Sequence, residues 1–166
     1  MVLVLALLGC VQRHEPFQSP RLRAVEVAPV LVAPDAAVLD SPERVDAALL
    51  DAMRARNLDP RLVPPDRYLS AFAQKRETSQ RVAWLGGTDP LLLVEAQPRL
   101  FGLVRGHWKW VVEVKLTLAP AGLADALSVP VFLANPHDDA DDALVAAGPE
   151  IARRAGELVD RWLEGS

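Results

Sequence analysis

Cysteine is almost missing from this chain of 166 residues: there is one, Cys10. A single thiol excludes an intrachain disulfide framework and any site built from several thiolates. Positive charge is not in excess either. Lys and Arg number 18 against 22 Asp and Glu, for a net charge of −4 and a pI near 5.4. No global basic field therefore invites nucleic acid, and the acidic body gives no general attraction for anionic lipid. Histidine is scarce: His14, His107 and His137 are scattered, and no pair has a zinc spacing such as HExxH. No G-x-S-x-G elbow, phosphate-binding loop or dinucleotide-binding glycine fingerprint occurs, and no internal repeat is visible. What remains is a hydrophobic fraction of 51%, ordinary for a globular protein, on a length that fits one domain plus a leader.

Nor is there a long apolar run at the start. Residues 1–8 (MVLVLALL) would span roughly 12 Å as a helix, far short of a bilayer core of about 30 Å. The run reads as the apolar region of a signal peptide. No basic residue precedes it, and it is shorter than the roughly 15–30 residues of a full leader; a start codon assigned too far downstream accounts for both. Leu7-Leu8-Gly9-Cys10 resembles the bacterial lipobox, in which a small residue precedes a cysteine that takes a diacylglycerol thioether. The resemblance implies a signal peptide over 1–9, a lipidated Cys10, and firm anchoring by several acyl chains at about 0.8 kcal/mol per buried methylene. In that pattern an Asp after the cysteine favours the inner membrane. Val11 stands there instead, which implies the periplasmic face of the outer membrane. Residues 11–20 (VQRHEPFQSP) are polar and without period, so 10–20 is the lipidated cysteine with its tether, and 21–166 is a single globular domain. The competing reading of residues 1–11 is a buried strand holding a buried free thiol.

Within the domain, residues 22–32 (LRAVEVAPVLV) are rich in β-formers, with Pro29 marking a bulge or an edge. Ser41-Pro42-Glu43 predicts a helix start, with Ser41 as cap, and Val45, Leu49 and Met53 follow at helical spacing to about Asn57. Leu62-Val63 is a short strand before Pro64-Pro65. Asp66 caps a second helix to about Lys75, and Thr78 a third, closed by Gly86-Gly87. Residues 91–96 (LLLVEA) suit a central strand. Arg105-Gly106 signals a turn. Residues 108–118 then alternate: Trp110, Val112, Val114, Leu116 and Leu118 on a packed face, Lys109, Glu113, Lys115 and Thr117 on a wet one. Residues 127–133 form a last strand, at an edge because Pro130 lacks a donor. Residues 140–163 are helical, split or kinked at Gly148-Pro149. The predicted class is α/β (α+β): one mixed sheet of about five strands, helices on one face, in the order β-α-β-α-α-β-β-β-α.

This order behind a lipobox resembles a group of bacterial envelope domains: the amino-terminal domain of TolB, the curli secretion-channel protein, and the lipoprotein activators of penicillin-binding proteins. The stretches that carry it are 25–57, 82–94 and 100–118. The resemblance is one of pattern. It implies a domain that binds partners or assembles, without chemistry of its own.

Residues 137–142 (HDDADD) are the one dense run of metal-capable side chains. They lack the glycine turn and distal Glu of an EF-hand, and acids also gather where a helix begins. No metal or cofactor is expected. Trp108-Lys109-Trp110 places both indoles on one face; Trp110 joins the core stripe, while Trp108, beside Arg105 and His107 at the strand's start, reads first as plain core packing and second as a rim group suited to a partner. The functional reading is a non-enzymatic lipoprotein that binds an envelope protein through the wet sheet face or the hairpin at Arg105, His107 and Trp108. The alternatives are an oligomerising structural subunit and, further off, an enzyme with an unrecognised site.

Overall fold

The strand expected at the head of the domain organises everything after it. The computed structural model describes residues 22–32, 38–74 and 77–165; the leader, Leu7 to Cys10 and the tether lie outside the described residues. Among the described residues, β1 (Arg23–Val32) is followed by β2 (Val38–Asp40), α1 (Glu43–Arg54), β3 (Leu58–Leu62), α2 (Pro65–Gln74), α3 (Thr78–Leu85), β4 (Leu91–Val104), β5 (His107–Ala119), β6 (Leu123–Leu133) and α4 (Ala140–Glu164). This is the expected order with the three-residue β2 added. The strands form one mixed sheet in the order β2-β1-β4-β5-β6, with β3 also on β1. β1 is parallel to β3 and β4, and β4, β5 and β6 form an antiparallel meander.

Pro29 lies in the middle of the sheet, not at an edge or bulge, and the register shows how. β3 covers one side of β1 along residues 23–27 and β2 covers the same side along 30–32. The Glu26 N–H donates to the Pro90 carbonyl on the β4 side, whereas the Val27 carbonyl accepts from the Val63 N–H on the opposite side. Alternate residues therefore face alternate neighbours. Pro29, in phase with Val27, turns its donorless nitrogen into the gap between β3 and β2. Pro130 lies on the edge strand β6, as expected. Further along the same outward row, beyond Ser128, the Ala126 amide donates to Asp125 Oδ1 at 2.9 Å. Two positions of the open edge thus offer no free donor, which hinders further strand pairing.

The helices pack on both faces of the sheet, not on one. Val25, Val27, Leu92, Val94, Val112, Val114, Leu116 and Leu118 meet α1 and α4 in the main core. Ala28, Val30, Leu91 and Leu93 point the other way and meet Tyr68, Ala71 and Leu85 of α2 and α3 in a second core. Connection handedness explains the division. The β1-α1-β3 crossover moves to one side of β1, and the β3-α2-α3-β4 crossover returns past β1 to the other side. Two right-handed crossovers in opposite directions place their helices on opposite faces.

α4 is one helix of 25 residues with Pro149 inside it, neither split nor ended at Gly148-Pro149. Its buried stripe includes Leu144, Ile151, Leu158 and Val159. At roughly 1.5–3 kcal/mol per large buried side chain, this stripe outweighs the cost of about 3 kcal/mol for an interior proline. A Cβ on Gly148 would sit 3.6 Å from Val45 Cγ2, an ordinary van der Waals contact, so α1 packs against α4 here without requiring the glycine.

The caps differ from the sequence reading at three helices. Pro42, not Ser41, is the N-cap of α1, its carbonyl accepting from Val45 and Asp46. The Ser41 hydroxyl is buried without a hydrogen-bond partner among the described residues. α2 begins at Pro65, which leaves Asp66 inside the first turn, complementing the helix dipole. Glu77 precedes α3, and Thr78 turns its hydroxyl to the sheet.

Candidate functional site

α2 and α3 cover only part of the second sheet face. Beyond them, Glu95 and Gln97 of β4, Glu113 and Lys115 of β5, and Ala124, Ala126 and Ser128 of β6 line an open trough of about 860 Å³. The strand period places these residues on one face: Glu95 pairs with Lys115, Gln97 with Glu113, and Lys115 with Ala126. The floor along β6 is made of small side chains, which makes the surface a wide concavity.

Its one wall is α3, tied down by a chain of polar contacts. Arg81 Nη1 donates to Glu95 Oε1 at 2.5 Å, Thr78 Oγ1 donates to Glu95 Oε2 at 3.2 Å, and Lys115 Nζ donates to Thr78 Oγ1 at 2.7 Å. The Arg81 guanidinium also stacks 4.0 Å from the Phe72 ring centroid, bracing α2 as well. The Glu95 side chain is 9% exposed and that of Arg81 19%, so this pair is the most buried charge contact at the trough. Arg67 makes the matching tie at the far side of the helical pair, donating to Glu26 at 3.1 Å and to the Leu85 carbonyl at 2.6 Å. Each lining carboxylate has a basic partner, Glu95 in Arg81, Glu113 in Arg99 and Asp125 in Arg154, and the lining contains no histidine or cysteine. Chemically it offers hydrogen bonds and exposed backbone on a broad surface, which suits recognition.

The second candidate is the far end of the meander. β1 stops pairing at Ala96, while β4 and β5 continue through a bulge at Leu100/Gly102 to a two-residue turn, Arg105-Gly106. Arg105 has φ 51° and Gly106 φ 83°, the left-handed pair that a tight hairpin turn requires. Arg105 and His107 are exposed there, and Trp108 is half-buried. The sequence had brought these three together as neighbours, and the structure keeps them at one tip. Trp110 packs against the main core, as its place in the stripe implied.

The acidic run at 137–142 builds a cap. The Asp139 carboxylate accepts from the Asp141 and Asp142 N–H groups at 2.9 and 3.2 Å, and Asp142 returns the bond by accepting from the Asp139 N–H at 3.1 Å. This is a capping box at the start of α4. Among the described residues, no helix is long and apolar enough to cross a membrane.

Sequence reasoning placed Glu113 and Lys115 on a wet face but missed Arg81, Thr78 and Glu95. Their partnership depends on α3 crossing to that face, and no spacing in the sequence records it. It also missed Leu100, Phe101, Leu103 and Phe132 as surface groups. The available signal was an apolar run with no acidic residue between Gln97 and Val112.

No protein-family model matches the sequence, and no curated protein matches it. Among solved structures, the chain is similar to the PelC dodecamer from Paraburkholderia phytofirmans, at 13% identity and TM-score 0.37 over 78% of this chain and 86% of that one. It is also similar to the lipoprotein GNA1162 from Neisseria meningitidis, at 11% identity and TM-score 0.37 over 87% and 99%. A third likeness is to the hypothetical protein CT253 from Chlamydia trachomatis, at 11% identity and TM-score 0.38 over 84% and 95%. Likenesses at this level assign neither family nor function.

Proposed function

We propose that this chain is an envelope lipoprotein, held at the periplasmic face of the outer membrane by lipid on Cys10, and that its domain is a non-enzymatic binding module for an envelope protein. The address rests on the apolar leader and the Leu7 to Cys10 pattern. The observation that carries the binding role is the uncovered half of the second sheet face. A sheet face of this breadth, with small residues on its floor and its ionic groups already paired, is shaped for a broad partner surface and not for an enclosed substrate. Arg105, His107 and Trp108 lie at the distal end of the same sheet and form the second contact element of the module.

The test is a photo-crosslinking amino acid placed at Ala126 on the trough floor, with Arg153 on the exposed side of α4 as control, in cells of the source organism. Discrete adducts with another envelope protein from Ala126 and none from Arg153 are expected. Equal yields at the two positions, or adducts between copies of this chain alone, overturn the reading and favour the structural-subunit alternative.

A further inference from the structure

The distal end of the sheet is an apolar finger. β4 runs for 14 residues, about 43 Å at roughly 3.3 Å per residue. Its first residue is level with Glu26, near the start of β1. The tip is therefore at the end of the sheet opposite to the one where the chain enters the domain. Large apolar side chains are exposed along it: Leu100 at 51%, Phe101 at 71%, Leu103 at 61% and Phe132 at 54%.

These groups occupy both faces. Leu100 pairs with Trp110 and Leu103 with Trp108, on the side that α4 covers further down. Phe132 pairs with Lys109, and the Lys109 ammonium lies 4.5 Å from the Phe101 ring centroid, so both phenyl rings share the opposite side. Apolar side chains on both faces of a projecting hairpin suit an apolar medium that surrounds it.

Charge points the same way. From Gln97 to Val112 the chain carries Arg99, Arg105 and Lys109 and no acidic residue, within a protein of net charge −4. Arg99 lies 3.6 Å from Glu113 at the root of the finger. Nearer the tip, Arg105 has no acidic partner among the described residues. Aliphatic tips flanked by aromatic rings and basic heads are the composition of a membrane interface. We infer that the finger is an interfacial element that inserts Phe101 and Leu103 among acyl chains and sets Arg105 and Lys109 against the phosphates of an anionic bilayer. The sequence-wide charge balance gave no hint of this, because the basic groups are concentrated at one end of an acidic body. The inference puts a bilayer in place of a protein as what meets Arg105 and Trp108 at the tip, and only the protein-binding reading of the trough stands or falls separately from it.

The experiment uses the full chain with Cys10→Ser, which removes both the acylation site and the one native thiol. A polarity-sensitive fluorophore is attached at Leu103→Cys or, as control, at Ala126→Cys. Vesicles of phosphatidylcholine with phosphatidylglycerol should shift the emission of the Leu103 probe to the blue and raise it several-fold, leaving the Ala126 probe unchanged. Lipid-borne quenchers should reach the Leu103 probe. Adding Arg105→Gln and Lys109→Gln should lower partitioning by roughly tenfold to thirtyfold, the effect of about two basic side chains at an anionic surface. A Leu103 probe that stays silent on anionic vesicles, with the chain folded by circular dichroism, overturns the inference. So does a probe that responds only to rising protein concentration, which assigns the finger to a second copy, or only to envelope protein, which assigns it to a protein partner.

Discussion

Arg81 reaches from α3 to Glu95 on the central strand β4 at 2.5 Å, and this contact fixes the boundary between the covered and the open halves of the second sheet face. Arg81→Ala would take the guanidinium from Glu95 and leave the Thr78 hydroxyl bonded to Oε2. The expected loss is about 2–3 kcal/mol, below the range for fully buried pairs because Arg81 keeps some solvent contact. Replacing both partners by leucine should cost less than the single change, since no unpaired charge is then left behind. Urea denaturation of the native chain and the two variants checks the order.

A second prediction concerns α1 and α4. Arg56 grips Asp160 through Nε and Nη2 at 2.7 and 2.8 Å and donates to the Ala52 carbonyl at 2.8 Å. To do so it lies across Gly156, where an added Cβ would come within 2.4 Å of the guanidinium. Gly156→Ala gains up to about 1 kcal/mol of helix propensity but displaces a charge-assisted pair of roughly 1–2 kcal/mol. In the native background the change should therefore be neutral to mildly destabilising. In an Arg56→Ala background it should become stabilising. Thermal unfolding of the four chains reads the change of sign directly.

The cap of α4 gives a third. Asp139→Ala removes a side chain that accepts from two helix N–H groups, and should cost about 1 kcal/mol. Asp138→Ala, outside the box, should stay within about 0.5 kcal/mol of the native chain. Equal losses at both positions would show that the run acts through its summed charge and not through the cap.

How much of this was legible in the sequence varied by element. β5 could be read almost residue by residue, because one face is buried and one is wet along Trp110 to Leu118. α1 and α4 were visible for the same reason at helical period. β3 was placed too late, at Leu62-Val63, because its residues are chosen by pairing with β1: Leu58 is opposite Arg23, and the run contains Asp59 and Pro60. The two-sided arrangement of helices was not legible at all. It depends on β3 and β4 flanking β1, a strand order that the chain order does not specify. The trough followed that error, since Arg81 and Thr78 become site residues only when α3 crosses to the wet face. The hairpin turn at Arg105-Gly106 was legible; the exposure of Leu100 and Leu103 was not, because they continue an apolar run that elsewhere in β4 is fully buried.

A fourth prediction follows from acid titration. Arg153 hydrogen-bonds both oxygens of Glu150, at 2.8 and 2.5 Å, and holds that carboxyl below the usual carboxylate range. A carboxyl lowered in the folded state stabilises the fold above its unfolded pKa of about 4.3 and loses that contribution as pH falls through the folded value. Glu150→Gln should thus be less stable than the native chain at neutral pH, with the gap closing in acid. Unfolding measured across that range checks the sign; a gap that widens in acid contradicts it. The contact is at the surface, so the gap should also shrink with added salt.

The proposed envelope address depends on Cys10 being the point of attachment to a membrane. The direct measurement is incorporation of radioactive fatty acid into the protein expressed from its own locus, with the native chain beside Cys10→Ala. The native chain should carry label and partition with membranes, and Cys10→Ala should carry none and be released on cell fractionation. Label retained by Cys10→Ala, or a native chain that never acquires it, would contradict the lipoprotein assignment.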